Sequence, residues 1–120
     1  MNTRPEPIDR IAVVTGATGA IGSATAARLA ADGWRVALVA RDPESARQLA
    51  APLCPKTLPL DADATASAAV DAAFGQVTEQ IGQPTALVHA VGSTLLRPAH
   101  AIKDDEFAEV NSVNLVSAFY

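Results

Sequence analysis

Apolar and polar positions change period several times along the chain, and each change marks an element. A β-branched run (Ile11, Val13, Val14) ends in small residues and gives way to Ile21, Thr25 and Leu29, four apart along one helical face. This predicts strand one over about 10–15 and helix one over about 20–31, closed by Asp32-Gly33. WRVALVA at 34–40 has a continuous apolar centre and predicts a buried strand in which Trp34 packs. Asp42 as N-cap and Pro43 at the first helical position open helix two over about 43–51, which Pro52 and Pro55 close. A short third strand follows over about 56–60, and Pro59, which has no N–H, assigns it to a sheet edge. DADAT at 61–65 is a loop. Val70, Phe74, Val77 and Ile81 then mark the buried stripe of helix three over about 66–81, ending at Gly82. TALVHAV at 85–91 is strand four, 92–103 a long loop, and a last helix runs over about 104–120.

The order βαβαβαβα predicts an α/β fold: a doubly wound parallel sheet with right-handed crossovers and strand order 3-2-1-4. Strand three then lies at an edge, and strands one and four flank the switch point where ligands bind. Residues 1–9 read as a polar lead-in and 10–120 as one domain. Composition sharpens this picture. With 49% hydrophobic but only 4% aromatic residues, the chain suits helices packed closely on a sheet better than a β-sandwich. A net charge of −4 without a basic cluster argues against nucleic acid and anionic membrane as partners. Cys54 is the only cysteine, so no internal disulfide forms; it reads as a small apolar filler, and a reducing cytoplasm is the expected location. The N-terminus lacks the apolar core of a secretory signal, and no apolar run is long enough to span a membrane.

The chemistry concentrates at the first strand-to-helix turn. Gly16 can take the angles of a tight turn, Gly19 lets the main chain approach a ligand, and Gly22 lets the helix pack closely. The free N–H groups and partial positive charge of the helix start suit a pyrophosphate, as in dinucleotide-binding folds, although the spacing is G-x-x-G-x-x-G. After strand two, Arg41 favours the 2′-phosphate of NADP(H), while Asp42 is better used as a helix cap than as the acid of an NAD(H) site. Asp61 and Asp63 have no His or further acid nearby to make a metal site; Asp63 either caps helix three or accepts from an adenine amino group. His89, within an apolar strand, reads as a satisfied, half-buried residue, and His100 as a loop residue. Asn114 shares a helical face with Phe107 and Val110, so a buried amide with partners is expected there, either a structural pin or part of a water-holding network.

Together these residues resemble the short-chain dehydrogenase/reductase family over nearly all of 10–120. TGATGAIG (15–22) resembles its Thr-Gly-x-x-x-Gly-x-Gly loop, Arg41-Asp42 its NADP-preferring members, and DATASAAVDAAF (63–74) the segment opening with an adenine-contacting Asp. LVHAVG (87–92) stands where the family has Leu-Val-Asn-Asn-Ala-Gly, and DDEFAEVNSVNLVSAF (104–119) resembles the helix carrying the catalytic Asn. The resemblance implies a three-layer Rossmann fold, with cofactor contacts from Gly16, Thr18, Gly19, Ala20, Ile21, Gly22, Arg41, Asp63, Ala64, Ala90 and Gly92, and Asn114 as a catalytic residue. It implies NADP(H) rather than NAD(H), a small carbonyl or alcohol substrate, no metal, and a homo-oligomer for the full-length parent.

Three departures qualify it. Ala20 replaces a family glycine while Gly19 fits the spacing of the extended, sugar-nucleotide branch. His89-Ala90 replaces Asn-Asn, leaving only main-chain contacts to carry over. The sequence stops at Tyr120, before the family's fifth strand, catalytic Ser and Tyr-x-x-x-Lys. In the family that Tyr is the general acid/base for hydride transfer, the Lys lowers its pKa, and the Asn holds a water in the relay. The expectation is therefore the cofactor-binding half of an oxidoreductase, inactive alone, with an unpaired fourth strand and an exposed LVSAF segment. The alternatives are a non-catalytic NADP-binding module or redox sensor, and a sugar-nucleotide epimerase or dehydratase.

Overall fold

The structure, a computed structural model, describes residues 9–53 and 57–120. Most of the expected lead-in, and the expectations for Cys54, Pro55 and Lys56, lie outside the described residues. Four strands alternate with helices: β1 (Ile11–Thr15), α1 (Ala20–Ala31), β2 (Arg35–Ala40), α2 (Pro43–Ala50), β3 (Thr57–Asp61), α3 (Ser67–Gln80) and β4 (Ala86–His89). A 3₁₀ turn at Ala99–Ala101 precedes α4 (Asp104–Asn111), which runs through a π turn (Ser112–Val116) into a last helical turn, α5 (Ser117–Phe119).

The sheet is parallel in the order β3-β2-β1-β4, as the sequence predicts, with Pro59 on edge strand β3 opposite Leu38. Successive strand residues point to opposite faces, so the continuous apolar runs of β1 and β2 feed two cores. Ile11, Val13, Ala37 and Val39 pack with Leu60 and with Ala73 and Val77 of α3. Val14, Val36 and Leu38 pack on the opposite face with Ala26 of α1 and Ala50 of α2. Helices thus cover both faces of the sheet.

Local chemistry sets the element ends. Asp42 caps α2 as expected, its carboxylate accepting the Ser45 N–H at 3.1 Å and the Ser45 hydroxyl. At the end of α1, Trp34 N–H donates to Leu29 O and Gly33 N–H to Ala30 O, the paired bonds of a Schellman ending. Trp34 and Leu29 both lie against the second core, which confirms Trp34 as a packing residue just ahead of β2.

Other expectations shift. The inward face of α1 is Gly22 and Ala26 rather than the line through Ile21, which is 75% exposed at the helix start. The inward face of α3 centres on Ala73 and Val77, with Phe74 and Ile81 half-buried beside them. β4 is shorter than expected: after one further bond, from Ala90 N–H to Thr15 O at 3.0 Å, the chain leaves the sheet. The last helix runs over 104–119 as expected but contains a π turn at Ser112–Val116, which periodicity does not report. Leu87, Phe107, Leu115 and Phe119 are exposed, and among the described residues β4 pairs only with β1.

Candidate nucleotide site

The C-terminal ends of all four strand segments open into one cleft of about 370 Å³. Its floor is Thr15, Gly16, Val39 and Ala40; one lip is Arg41 with residues 62–65, the other residues 90–93, and Glu109 and Val113 reach over from the last helix. Thr18 and Gly19, from the turn into α1, stand between the lips. The cleft therefore occupies the crevice between β1 and β4, where the strand order reverses.

Two glycines make the turn possible. Gly16 has a φ of +66°, and a Cβ there would lie 2.4 Å from Ala90 O. At Gly22 a Cβ would lie 2.1 Å from Gly16 O, so the first turn of α1 sits directly on the strand end. Gly19 differs. Its φ is −72° and an added Cβ would come no closer than 3.4 Å to Gly16 O, so nothing in the fold itself demands glycine there. Gly19 is the N-cap of α1 and offers no side chain to the helix start. The N–H groups of that first turn are left to bond water or an anion.

Of the residues expected to bind a cofactor, Gly16, Thr18, Gly19, Arg41, Asp63, Ala64, Ala90 and Gly92 line this cleft. Ala20, Ile21 and Gly22, in the first turn of α1, do not line it. The pattern gave no warning of Val39, Ala62, Thr65, Val91, Ser93, Glu109 and Val113 as lining residues. Most are main-chain or small apolar neighbours, placed by the ends of the strands.

Asp63 forms a tight local turn rather than a helix cap. Its Oδ1 accepts from the Thr65 hydroxyl at 2.7 Å and the Thr65 N–H at 2.9 Å, while α3 starts later, behind Ala66. The Thr65 hydroxyl, then the Thr65 N–H and, more weakly, Arg41 hold the Asp63 carboxyl below the usual carboxylate range against a small desolvation penalty. Arg41 thus shares a lip of the cleft with an ionised carboxylate. No cluster of metal-ligating side chains is present among the described residues.

Asn114 is exposed rather than buried, because the face it shares with Phe107 is itself largely open to solvent. It nonetheless has the expected partners. Its Oδ1 accepts from Ser93 N–H at 3.0 Å, and its Nδ2 donates to Ser93 O and Val110 O at 2.9 Å each. The amide therefore clips the lip at Ser93 to the π turn. Glu106 holds the rest of that loop, one oxygen pairing with Arg97 at 2.9 Å and the other accepting Lys103 N–H at 3.0 Å. His89 is half-buried and satisfied on both sides, with Nδ1 2.8 Å from Thr15 Oγ1 and Nε2 3.1 Å from Ser117 Oγ.

A doubly wound parallel sheet with a glycine turn and a cleft at its switch point defines a Rossmann-type domain. Residues 10–120 match the family model described as short chain dehydrogenase, and the chain belongs to that family. It is 34% identical over 116 residues to the 3-oxoacyl-[acyl-carrier-protein] reductase MabA of Mycobacterium tuberculosis, covering 97% of this chain and 44% of the relative. It is 29% identical over 119 residues to the L-2,3-butanediol dehydrogenase of Corynebacterium glutamicum, covering 94% of this chain and 46% of that protein. Among solved structures, the 3-ketoacyl-(acyl-carrier-protein) reductase of Brucella melitensis complexed with NADH superposes with a TM-score of 0.87 at 29% identity, over 92% of this chain and 46% of that one. The chain thus spans less than half the length of these relatives. No helix among the described residues is long and apolar enough to cross a membrane.

Proposed function

We propose that these residues form the nicotinamide-dinucleotide half of a short-chain oxidoreductase that favours NADP(H) over NAD(H). The observation that carries the reading is the cradle at Gly16 and Gly22, where any side chain would strike backbone, set beside uncapped helical N–H groups in the strand-end cleft. Such a cradle fits a pyrophosphate held by main chain and helix dipole. In this reading Thr18, Gly19, Ala20, Ile21 and Gly22 surround the phosphates. Arg41 takes a ribose 2′-phosphate, Asp63 accepts from an adenine amino group, and the main chain of Ala64, Ala90 and Gly92 completes the contacts. When bound, the nicotinamide supplies hydride exchange with a carbonyl or alcohol carbon of a small substrate.

The chain's own part in turnover is to bind and orient. Asn114, with a Val110 carbonyl bond at its back, holds the Ser93 lip and positions a water for proton transfer. The Tyr, Ser and Lys that the family uses for acid/base work have no counterpart in these 120 residues, so the segment alone is proposed to be inactive. The parent protein is proposed to work as a homo-oligomer in the cytoplasm, and the isolated segment to self-associate through Leu87, Phe107, Leu115 and Phe119.

Titration of the native protein with NADPH and NADH, followed by nicotinamide fluorescence, tests the reading. NADPH is expected to bind at least ~10-fold more tightly, with Arg41→Ala removing most of that preference. Equal or tighter NADH binding would overturn the NADP(H) assignment, and binding of neither would overturn the site. Carbonyl reduction by the isolated segment would refute its inactivity.

A further inference from the structure

The buried polar residues among those described are Thr15, at 6% exposure, and Ser117, at 4%, and both bond the same imidazole. Thr15 and His89 are register partners on adjacent strands, so their side chains leave the sheet on one face. Ser117 comes from the far side of the π turn, 28 residues on in sequence. The directions of the bonds follow from the last link. Ser117 Oγ donates its hydrogen to Val113 O at 2.5 Å, so toward the imidazole it can only accept. Nε2 therefore donates, and in the neutral ring Nδ1 is left to accept from the Thr15 hydroxyl. The chain of donors runs one way, from the sheet through the ring to a carbonyl inside the π turn.

The π turn is thus pinned twice. His89 ties it to the floor of the cleft at Thr15, and Asn114 ties it to the lip at Ser93. Val113, whose carbonyl ends the chain, lines the cleft. We propose that His89, as the neutral Nε2–H tautomer, is a positioning residue for the nucleotide site, locking the π turn to the sheet so that Val113 and Asn114 are held at the cleft. This goes beyond the general reading of the cleft and rests on it for the functional half of the test.

Long-range ¹H–¹⁵N spectra of the native protein labelled at histidine nitrogen are expected to show a His89 Nε2–H ring. Ser117→Ala removes the acceptor and should switch the ring to Nδ1–H, donating to Thr15; Ser117→Thr should restore Nε2–H. An Nδ1–H ring in the wild type, or no switch in Ser117→Ala, overturns the hydrogen-bonded chain. For the positioning role, Ser117→Ala and Asn114→Ala are each expected to weaken NADPH binding about 5-fold, and together little more than either alone, because both release one element. Losses that multiply to about 25-fold would overturn positioning through the π turn while leaving the cofactor reading intact. Failure of the wild type to bind either NADPH or NADH would overturn both.

Discussion

The two walls of the cleft are made of different material. On the β1–α1 side the wall is main chain: Gly16 and Gly22 press backbone against backbone, and α1 starts without a side-chain cap. On the β4–α4 side it is held by side chains, with Asn114, Glu106 and His89 each spanning two elements. At Gly16 and Gly22 the first wall has no room for added volume. The second has room, since Phe107 and Leu115 beside it are exposed, but it depends on particular polar atoms. Binding sites can be made rigid by either route, and each fails under a different kind of substitution.

The largest effects are expected where volume is added to the first wall. Gly22→Val and Gly16→Val should each cost about 3 kcal/mol or more, or abolish folding, in urea unfolding of the native protein. Gly19→Ala sharpens the contrast: with 3.4 Å of clearance it should cost about 1 kcal/mol or less while still weakening NADPH binding. A Gly19→Ala protein as unstable as Gly22→Val would show that the clearance is not what separates the two positions.

The second wall should respond to chemistry instead. Asn114→Ala loses the side-chain hydrogen bonds to Ser93 and Val110 at an exposed site and is expected to cost about 1 kcal/mol by denaturant titration. Asn114→Asp, nearly identical in volume, should cost more, because it sets a carboxylate oxygen against the carbonyls of Ser93 and Val110. If Asp is tolerated better than Ala, the wall is held by shape and the contrast collapses.

The smallest effect is the acid limb. The Ser45 hydroxyl and N–H hold the Asp42 carboxyl below its ordinary value, and the Thr65 hydroxyl and N–H do the same for Asp63. A carboxyl with a lowered folded-state pKa lends stability that is fully present above its unfolded value of about 3.9 and lost as pH falls through the folded value. Tm measured against pH should therefore fall below about pH 4, and Asp42→Asn and Asp63→Asn should each make that fall shallower. An unchanged slope in both variants would show that neither carboxylate is held in the native state.

Most of the fold was legible in the sequence because its determinants are local. The β-branched runs, the Asp42-Pro43 start and the single proline at Pro59 each constrain one element, and the right-handed crossover rule then orders the strands. The glycine turn was legible for the same reason. Ile21 was misplaced because spacing alone cannot tell which of two helical lines faces the sheet; the small residues Gly22 and Ala26 take the inward one. Asn114 could be picked out as a polar intruder but not placed in the open, since burial of its face depends on what packs against Phe107. His89 could be read as satisfied, yet its partners lie 74 residues before it and 28 after it, beyond any local pattern.

The π turn also sets an angular phase. Successive residues of an α-helix are rotated by about 100°, and a π turn is in effect one extra residue in the register. It lets one helix address a loop with Asn114 and the sheet with Ser117, two directions that an uninterrupted helix would combine differently. Closing the segment into regular α-helix at unchanged length would swing Ser117 about 100° away from the imidazole, whereas deleting Ser112 removes the extra residue and should leave Ser117 facing it. A deletion, ordinarily the harsher change, would then keep an alignment that straightening the helix at full length destroys.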